Sequence, residues 1–141
     1  TSSSTNRKSP RILATCGNLV RNLFTREGSE DRRGIGIAVE ADTVVSGNVV
    51  ESAPIVGILA GWGRYLRDVV VSGNVVRKCA VGIGVSADSD AGTAVVSGNI
   101  IGAATDGALR AMDHDRATGP ELVDGRVDAY PHIRISGNVA S

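Results

Sequence analysis

One short segment near the end of the chain concentrates side chains that could do acid and base chemistry. It reads Met112-Asp113-His114-Asp115-Arg116 and contains one of only two histidines. An aspartate beside a histidine can orient the imidazole ring and raise its basicity, and an arginine can neutralise the carboxylate of an acidic sugar. We therefore predict Asp113, His114, Asp115 and Arg116 as candidate catalytic residues, with a solvated turn as the alternative.

Pairs of carboxylates recur downstream of four glycines, Gly34, Gly57, Gly82 and Gly107. When these glycines are aligned without gaps, three of the four repeats carry an acid-x-acid pair at the same two positions, namely Glu40 with Asp42, Asp88 with Asp90, and Asp113 with Asp115. The last two pairs are expected to stack in neighbouring repeats. Four carboxylates that close cannot all ionise comfortably, so they would share a cation, share protons or point apart.

Three interpretations of this acidic column stay open. The carboxylates can cap turns by accepting hydrogen bonds from nearby backbone N–H groups. They can hold Ca²⁺, which prefers hard oxygen ligands. They can also line a groove in which one carboxyl has a raised pKa for acid or base work. The candidate metal ligands are Asp88, Asp90, Asp113 and Asp115.

Two of the few aromatic residues, Trp62 and Tyr65, occupy the same column in the repeat that has no acidic pair. Arg64 and Arg67 lie beside them in the sequence. Aromatic faces stack on sugar rings, and arginine binds carboxylates or sulfates. The candidate substrate-binding residues are Trp62, Arg64, Tyr65, Asp88 and Asp90. Trp62 could instead simply cover the edge of the core.

A repeated tripeptide indicates the scaffold that must position these side chains. Ser-Gly-Asn occurs four times, ending at Asn48, Asn74, Asn99 and Asn138, and Cys16-Gly17-Asn18 is a degenerate copy. The steps between successive Asn residues, starting from Asn18, are 30, 26, 25 and 39 residues. Periods in the twenties are typical of solenoids. Each repeat also holds about three short runs rich in valine and isoleucine between turn residues, which predicts short strands.

We therefore predict an all-β fold, a right-handed parallel β-helix of about four to five rungs. Stacked Asn side chains would bond one another at each corner, and the preceding glycine tolerates the sharp turn. Residues 1–13 are linker-like, and 14–141 form the β-helix domain with a loop insertion at 114–132, a typical place for function. We expect the chain to be the C-terminal part of a longer β-helix.

The valine-rich Ser-Gly-Asn-Val-Val element resembles the repeats of pectate-lyase-like parallel β-helices. It looks closest to a twin-arginine-exported repeat family of unknown function, over about 14–140. The segment at Asp113 is also loosely similar to the Asp-Pro-His-Asp motif of mannuronan C5-epimerases, although its proline is missing here. The resemblance implies a periplasmic or secreted protein that acts on polysaccharide as a lyase, C5-epimerase or glycoside hydrolase, with Ca²⁺ as the one cofactor considered. The alternative is a non-catalytic glycan-binding or structural envelope module that assembles with another chain.

Composition limits the other partners. The chain is 42% hydrophobic but only 3% aromatic, which suits a narrow core of stacked aliphatic side chains. Fifteen basic and fifteen acidic residues leave no net charge, which argues against a nucleic-acid partner. No apolar run is long enough for a membrane span. The partners we expect are a polysaccharide or oligosaccharide, and either the N-terminal chain of the same precursor or a second copy. Cys16 and Cys79 are predicted to be lone thiols.

Overall fold

The computed structural model describes residues 13–16, 19–21, 35–114, 116–125, 127 and 129–141. Within these ranges the protein is built from strands and turns, without a helix. The linker predicted at 1–13 lies outside them except for Leu13.

The described residues form fifteen short strands, most of them three to six residues long. Their brevity follows from the sequence, because Gly, Asn, Asp and Ser interrupt each β-branched run. In chain order they are β1 (Leu13–Cys16), β2 (Leu19–Arg21), β3 (Ile35–Val39), β4 (Ala41–Ser46), β5 (Val49–Glu51), β6 (Val56–Ala60), β7 (Arg67–Ser72), β8 (Val75–Arg77), β9 (Val81–Ser86), β10 (Ala94–Ser97), β11 (Ile100–Gly102), β12 (Leu109–Asp113), β13 (Arg116–Glu121), β14 (Ile133–Ser136) and β15 (Val139–Ala140).

The strands assemble into three five-stranded sheets, each of which takes about every third strand of the chain. Sheet A has the order β1-β4-β7-β10-β14, sheet B β2-β5-β8-β11-β15, and sheet C β3-β6-β9-β12-β13. Neighbouring strands are parallel, except that β13 runs antiparallel to β12. The predicted all-β class and the parallel pairing of successive repeats are confirmed.

Aliphatic side chains that share a register position form the core. In sheet C, Ile37, Ile58, Ile83 and Leu109 are aligned and buried. The middle residue of the three-residue strands in sheet B is buried in the same way, as at Val50, Val76 and Ile101. Because alternate side chains of a strand point to opposite faces, these rows fix which face of each strand is inside.

The Ser-Gly-Asn copies form the turns between sheets A and B, which we call the Asn corner (46–48, 72–74, 97–99 and 136–138). Asn74 Oδ1 accepts hydrogen bonds from both the backbone N and the Nδ2 of Asn48, each at 3.0 Å. Asn99 does the same for Asn74, with both distances 2.9 Å, and Asn138 does so for Asn99 at 3.0 and 2.8 Å. The predicted ladder of asparagines is confirmed.

The register of sheet C differs from the ungapped glycine alignment at two places. Gly57 aligns with Gly36 rather than Gly34, because Ile58 pairs with Ile37. Gly82 aligns with Ala108 rather than Gly107, because Ile83 pairs with Leu109. The buried aliphatic rows set the register, and a second small residue near each glycine made the alignment by glycine ambiguous.

Cys79 is a free, buried thiol, as predicted. Its Sγ donates a hydrogen bond to the carbonyl of Arg77 at 3.3 Å. Burial raises the pKa of this thiol above its ordinary value of 9.0, because the thiolate would lose its hydration in the core. The side chain of Cys16 lies outside the described residues.

Candidate functional site

The candidate residues lie where the chain passes from sheet C to sheet A. This connection grows along the molecule: Glu40 alone links β3 to β4, whereas 61–66 link β6 to β7 and 87–93 link β9 to β10. After β12 it contains the antiparallel strand β13 and the segment 122–132. We call 61–66, 87–93 and 113–132 the variable corner. Its length changes while the flanking strands keep their register, so it can differ from one repeat to the next without disturbing the core.

The first part of the variable corner is a tight two-residue turn at Gly63 and Arg64. Trp62 N donates to the Tyr65 carbonyl at 3.0 Å, and Tyr65 N donates to the Trp62 carbonyl at 3.1 Å. Gly63 has a φ of 60°, and a glycine at the first central position is typical of type II′ hairpin turns. Trp62 is partly buried, whereas the Tyr65 side chain is exposed.

The second part is a turn that Asp88 organises. Its Oδ1 accepts a hydrogen bond from the backbone N of Asp90 at 2.8 Å, and its carbonyl accepts one from Ala91 N at 3.0 Å. The buried Ser86 hydroxyl donates to the Gly63 carbonyl and thereby joins this turn to the first one. Asp88 thus caps its own turn, which is the first of the three interpretations of the acidic column.

The third part is the hairpin between β12 and β13, which has His114 at its tip. Asp113 pairs with Arg116 across the hairpin, and His114 has a φ of 58°. Asp113 Oδ1 lies 2.9 Å from His114 Nδ1. Asp113 and His114 therefore form an aspartate–histidine pair at the tip of a hairpin, and both side chains are about half exposed or more.

His114 brings the first and third parts together. Its ring meets the Trp62 ring edge-on, with centroids 4.8 Å apart and planes at 83°. Its Nε2 lies directly over Gly63, since a methyl group added there would come within 2.9 Å of this nitrogen. Trp62, Gly63 and His114 thus form one contact that reaches across the intervening Asp88 turn.

The corrected register removes the predicted column of stacked acidic pairs. Leu109 pairs with Ile83 and Met112 with Ser86, so Asp113 falls one position earlier than Asp88 and does not stack on it. Asp42 pairs with Asp68 at the start of sheet A, as the pairs on either side require. It binds the Arg67 guanidinium there, with Nε 3.3 Å from Oδ1. The prediction that Asp113 stacks on Asp88 is therefore wrong, and Asp42 lies in sheet A rather than in the connection that follows sheet C.

The calcium hypothesis is not met by the described carboxylates. No group of three or more His, Cys, Asp or Glu side chains in the described part of the chain is placed to hold a metal ion. Asp88, Asp90 and Asp113 belong to that part, whereas the fourth predicted ligand, Asp115, lies outside it.

Arg64 adds a positive charge to the variable corner, beside Tyr65. Its Nη2 lies 3.5 Å from the Tyr65 hydroxyl, and its guanidinium carbon is 5.3 Å from the centre of the Tyr65 ring. The Tyr65 hydroxyl raises the pKa of Arg64 most, and the carboxylates of Asp90 and Asp88 raise it further. The predicted substrate-binding residues are therefore neighbours, with exposed aromatic, cationic and anionic groups side by side.

The described part of the insertion predicted at 114–132 is bonded to β12 and packed against the core. Leu122 is fully buried against the core, and its N donates to the Leu109 carbonyl at 2.8 Å. The Glu121 carboxylate accepts hydrogen bonds from Ala108 N and Leu109 N at 2.6 and 2.7 Å. His132 Nε2 donates to the Ser86 carbonyl at 2.8 Å. Gly63, Ser86 and the capping role of Glu121 were not predicted. The glycine in the sequence Trp-Gly-Arg-Tyr, which is typical of a turn, was the one available signal.

A separate open groove of about 500 Å³ lies at the turns that follow sheet B. None of its lining residues was predicted as a site residue. They are Ser52, Ala53, Pro54, Lys78, Cys79, Ala80, Ala103 and Thr105.

Comparisons with known proteins gave no relative for this chain. No family model, no curated protein and no solved structure matched it. The described residues also contain no helix that is long and apolar enough to cross a membrane.

Proposed function

We propose that the three sheets are the walls of a right-handed parallel β-helix and that its variable corner binds a polysaccharide. The fold proposal is supported by sheets that each take about every third strand, with repeats paired in parallel. An extracytoplasmic location, periplasmic or secreted, belongs to the same proposal and rests on the resemblance of the Ser-Gly-Asn-Val-Val repeats.

One observation carries the binding proposal, namely the contact of Trp62 with His114 beside exposed Tyr65 and Arg64. Sugar rings present apolar faces edged by hydroxyl groups, and aromatic rings beside polar groups suit both. The carboxylates of Asp88 and Asp90, which are near enough to Arg64 to raise its pKa, add hydrogen-bond acceptors. The site is therefore proposed to recognise a glycan through stacking on aromatic rings and hydrogen bonds at its edge.

The test uses the fact that Trp62 is the only tryptophan of the chain. Its fluorescence is followed while an oligouronate, and separately a neutral glucan oligosaccharide, is added, and affinity is measured by calorimetry. We expect binding of at least one probe, weakened at least tenfold in Trp62→Ala and unchanged in the Asn-corner control Ser72→Ala. Equal affinity of Trp62→Ala and the wild type would reject the site.

A second candidate function is catalysis, favoured by the Asp113–His114 pair at 2.9 Å. In a lyase or epimerase, His114 would take the proton next to a uronate carboxylate and Arg116 would neutralise that carboxylate. Because Asp113 contacts Nδ1, Nε2 is the nitrogen of His114 that would take the proton. Nε2 lies over Gly63, so binding is the better supported function. Turnover of the oligouronate that disappears in His114→Ala, with binding retained, would establish catalysis instead.

A further inference from the structure

We infer that Glu121 is a positioning residue, which fixes the β12–β13 hairpin and thereby holds His114 against Trp62. This inference deepens the proposed function, because it concerns how the proposed glycan surface is held in shape. Glu121 lies at the base of the hairpin, where it pairs with Arg110, and His114 lies at the tip.

The Glu121 carboxylate holds the base of the hairpin by accepting hydrogen bonds from backbone N–H groups. Oε1 accepts a hydrogen bond from Ala108 N at 2.6 Å, and Oε2 accepts one from Leu109 N at 2.7 Å. Oε2 also accepts bonds from the N–H groups of Leu122 and Val123 at 3.1 and 3.2 Å. One carboxylate thus joins the start of β12 to the end of β13 through charge-assisted bonds, which are about twice as strong as neutral ones.

Two further contacts keep β13 against β12. The Arg110 side chain donates from Nε and Nη2 to the Gly119 carbonyl, at 3.1 and 2.6 Å. Leu122 is inserted into the core immediately after Glu121. The register shifts between Arg110 and Ala111, so strand pairing alone does not fix the base and the carboxylate has to bridge the irregular region.

The tip follows the base because the hairpin is short. Only the pairs from Ala111–Thr118 to Asp113–Arg116 separate the irregular region from His114. The His114 ring contacts the Trp62 ring edge-on, and its Nε2 lies close to Gly63. Loss of the Glu121 carboxylate is therefore expected to let the tip move away from Trp62, while sheets A and B keep their Asn ladder.

The test compares Glu121→Gln and Glu121→Ala with the control Thr118→Ala in the same strand. The control removes one long hydrogen bond, from Thr118 Oγ1 to the Ala111 carbonyl at 3.4 Å. We expect Glu121→Ala to exchange the amides of Ala108 and Leu109 at least tenfold faster, and Glu121→Gln, with one acceptor oxygen instead of two, to do so for at least one of them. We also expect them to lose the nuclear Overhauser contact between the Trp62 and His114 rings, while the control retains it. Glu121→Gln keeps one side-chain oxygen, so it decides the matter if Glu121→Ala does not fold.

The outcomes separate this inference from the proposed function. An unchanged ring contact in a folded Glu121→Gln protein that has lost the amide protection would overturn the positioning role, whatever the glycan result. A lost ring contact together with weaker glycan binding supports both proposals. A lost ring contact in a protein whose wild type binds neither oligosaccharide probe supports the positioning role and removes the proposed function.

Discussion

The Asn corner and the variable corner are built on opposite principles. From Asn48 to Asn99, each Asn of the Asn corner donates the same two hydrogen bonds to the Asn of the next copy, and all three side chains are buried. At the variable corner each connection has its own length and its own bonds. Repetition therefore stabilises the Asn corner, and the variable corner is free to carry different side chains in each repeat.

The largest expected effect tests the Asn corner. Asn74→Ala removes the acceptor of two Asn48 bonds and the donor to Asn99 Oδ1 and the Val45 carbonyl. Because buried polar groups are left unsatisfied, we expect a loss of about 3 kcal/mol in the free energy of unfolding, measured by urea denaturation. Asn138→Ala, at a position that is only partly buried, should cost about 1 kcal/mol. Equal losses at both positions would show that stacking does not strengthen the ladder.

A matched pair of glycines compares the two corners directly. Gly63 and Gly73 have φ values of 60° and 66°, so alanine should cost each about 1 kcal/mol of stability. An added methyl group at Gly73 meets nothing within 4 Å, whereas at Gly63 it approaches His114 Nε2 at 2.9 Å. We expect Gly63→Ala alone to change the fluorescence of Trp62. A similar change in Gly73→Ala would contradict the separation of the two corners.

A smaller effect distinguishes the two carboxylates of the Asp88 turn. Asp88→Ala removes the acceptor for Asp90 N and should lower stability by about 0.5 to 1 kcal/mol. Asp90→Ala removes an exposed side chain and should stay within about 0.5 kcal/mol of the wild type. Thermal unfolding of both variants measures the difference. A larger loss for Asp90→Ala would mean that its carboxylate, rather than that of Asp88, organises the turn.

The last prediction concerns the ionisation of Cys79 in the core, which changes stability only at high pH. Its pKa is raised by burial, so the unfolded thiol ionises before the folded one as the pH rises above about 9. Stability is therefore retained below that pH and falls above it, and Cys79→Ala should lack this part of the fall. Urea denaturation between pH 7 and pH 10 checks the sign. Parallel curves for the two proteins would mean that the folded thiol titrates like a free one.

The Asn corner and the strands beside it were predicted well from the sequence. Ser-Gly-Asn and the β-branched runs determine the strands, because each is a local preference that the next repeat reinforces. The register at Gly36 and Ala108 could not be predicted, since buried aliphatic rows on neighbouring strands decide it. The roles of β13 and Glu121 were also missed, because an antiparallel strand containing glycine and proline has no repeat to reveal it.

The sequence indicated which candidate residues are neighbours, but not how they are arranged. Trp62, Arg64, Tyr65, Asp88 and Asp90 do lie together, as their position after successive strands implied. Asp113 and His114 join them through a hairpin tip rather than through a stacked acidic column, because the hairpin projects His114 towards Trp62. Sequence spacing alone carries no signal for such a contact between turns of different repeats.

The most direct test of glycan binding at the variable corner is a residue-resolved nuclear magnetic resonance titration with the two oligosaccharide probes. We expect shifts of backbone amides at 61–66, 87–91 and 113–114 as the glycan binds, with the amides of Asn48, Asn74 and Asn99 unchanged. Shifts confined to the Asn corner or to the groove at Lys78, or the absence of any shift with both probes, would contradict the claim that the variable corner carries the function.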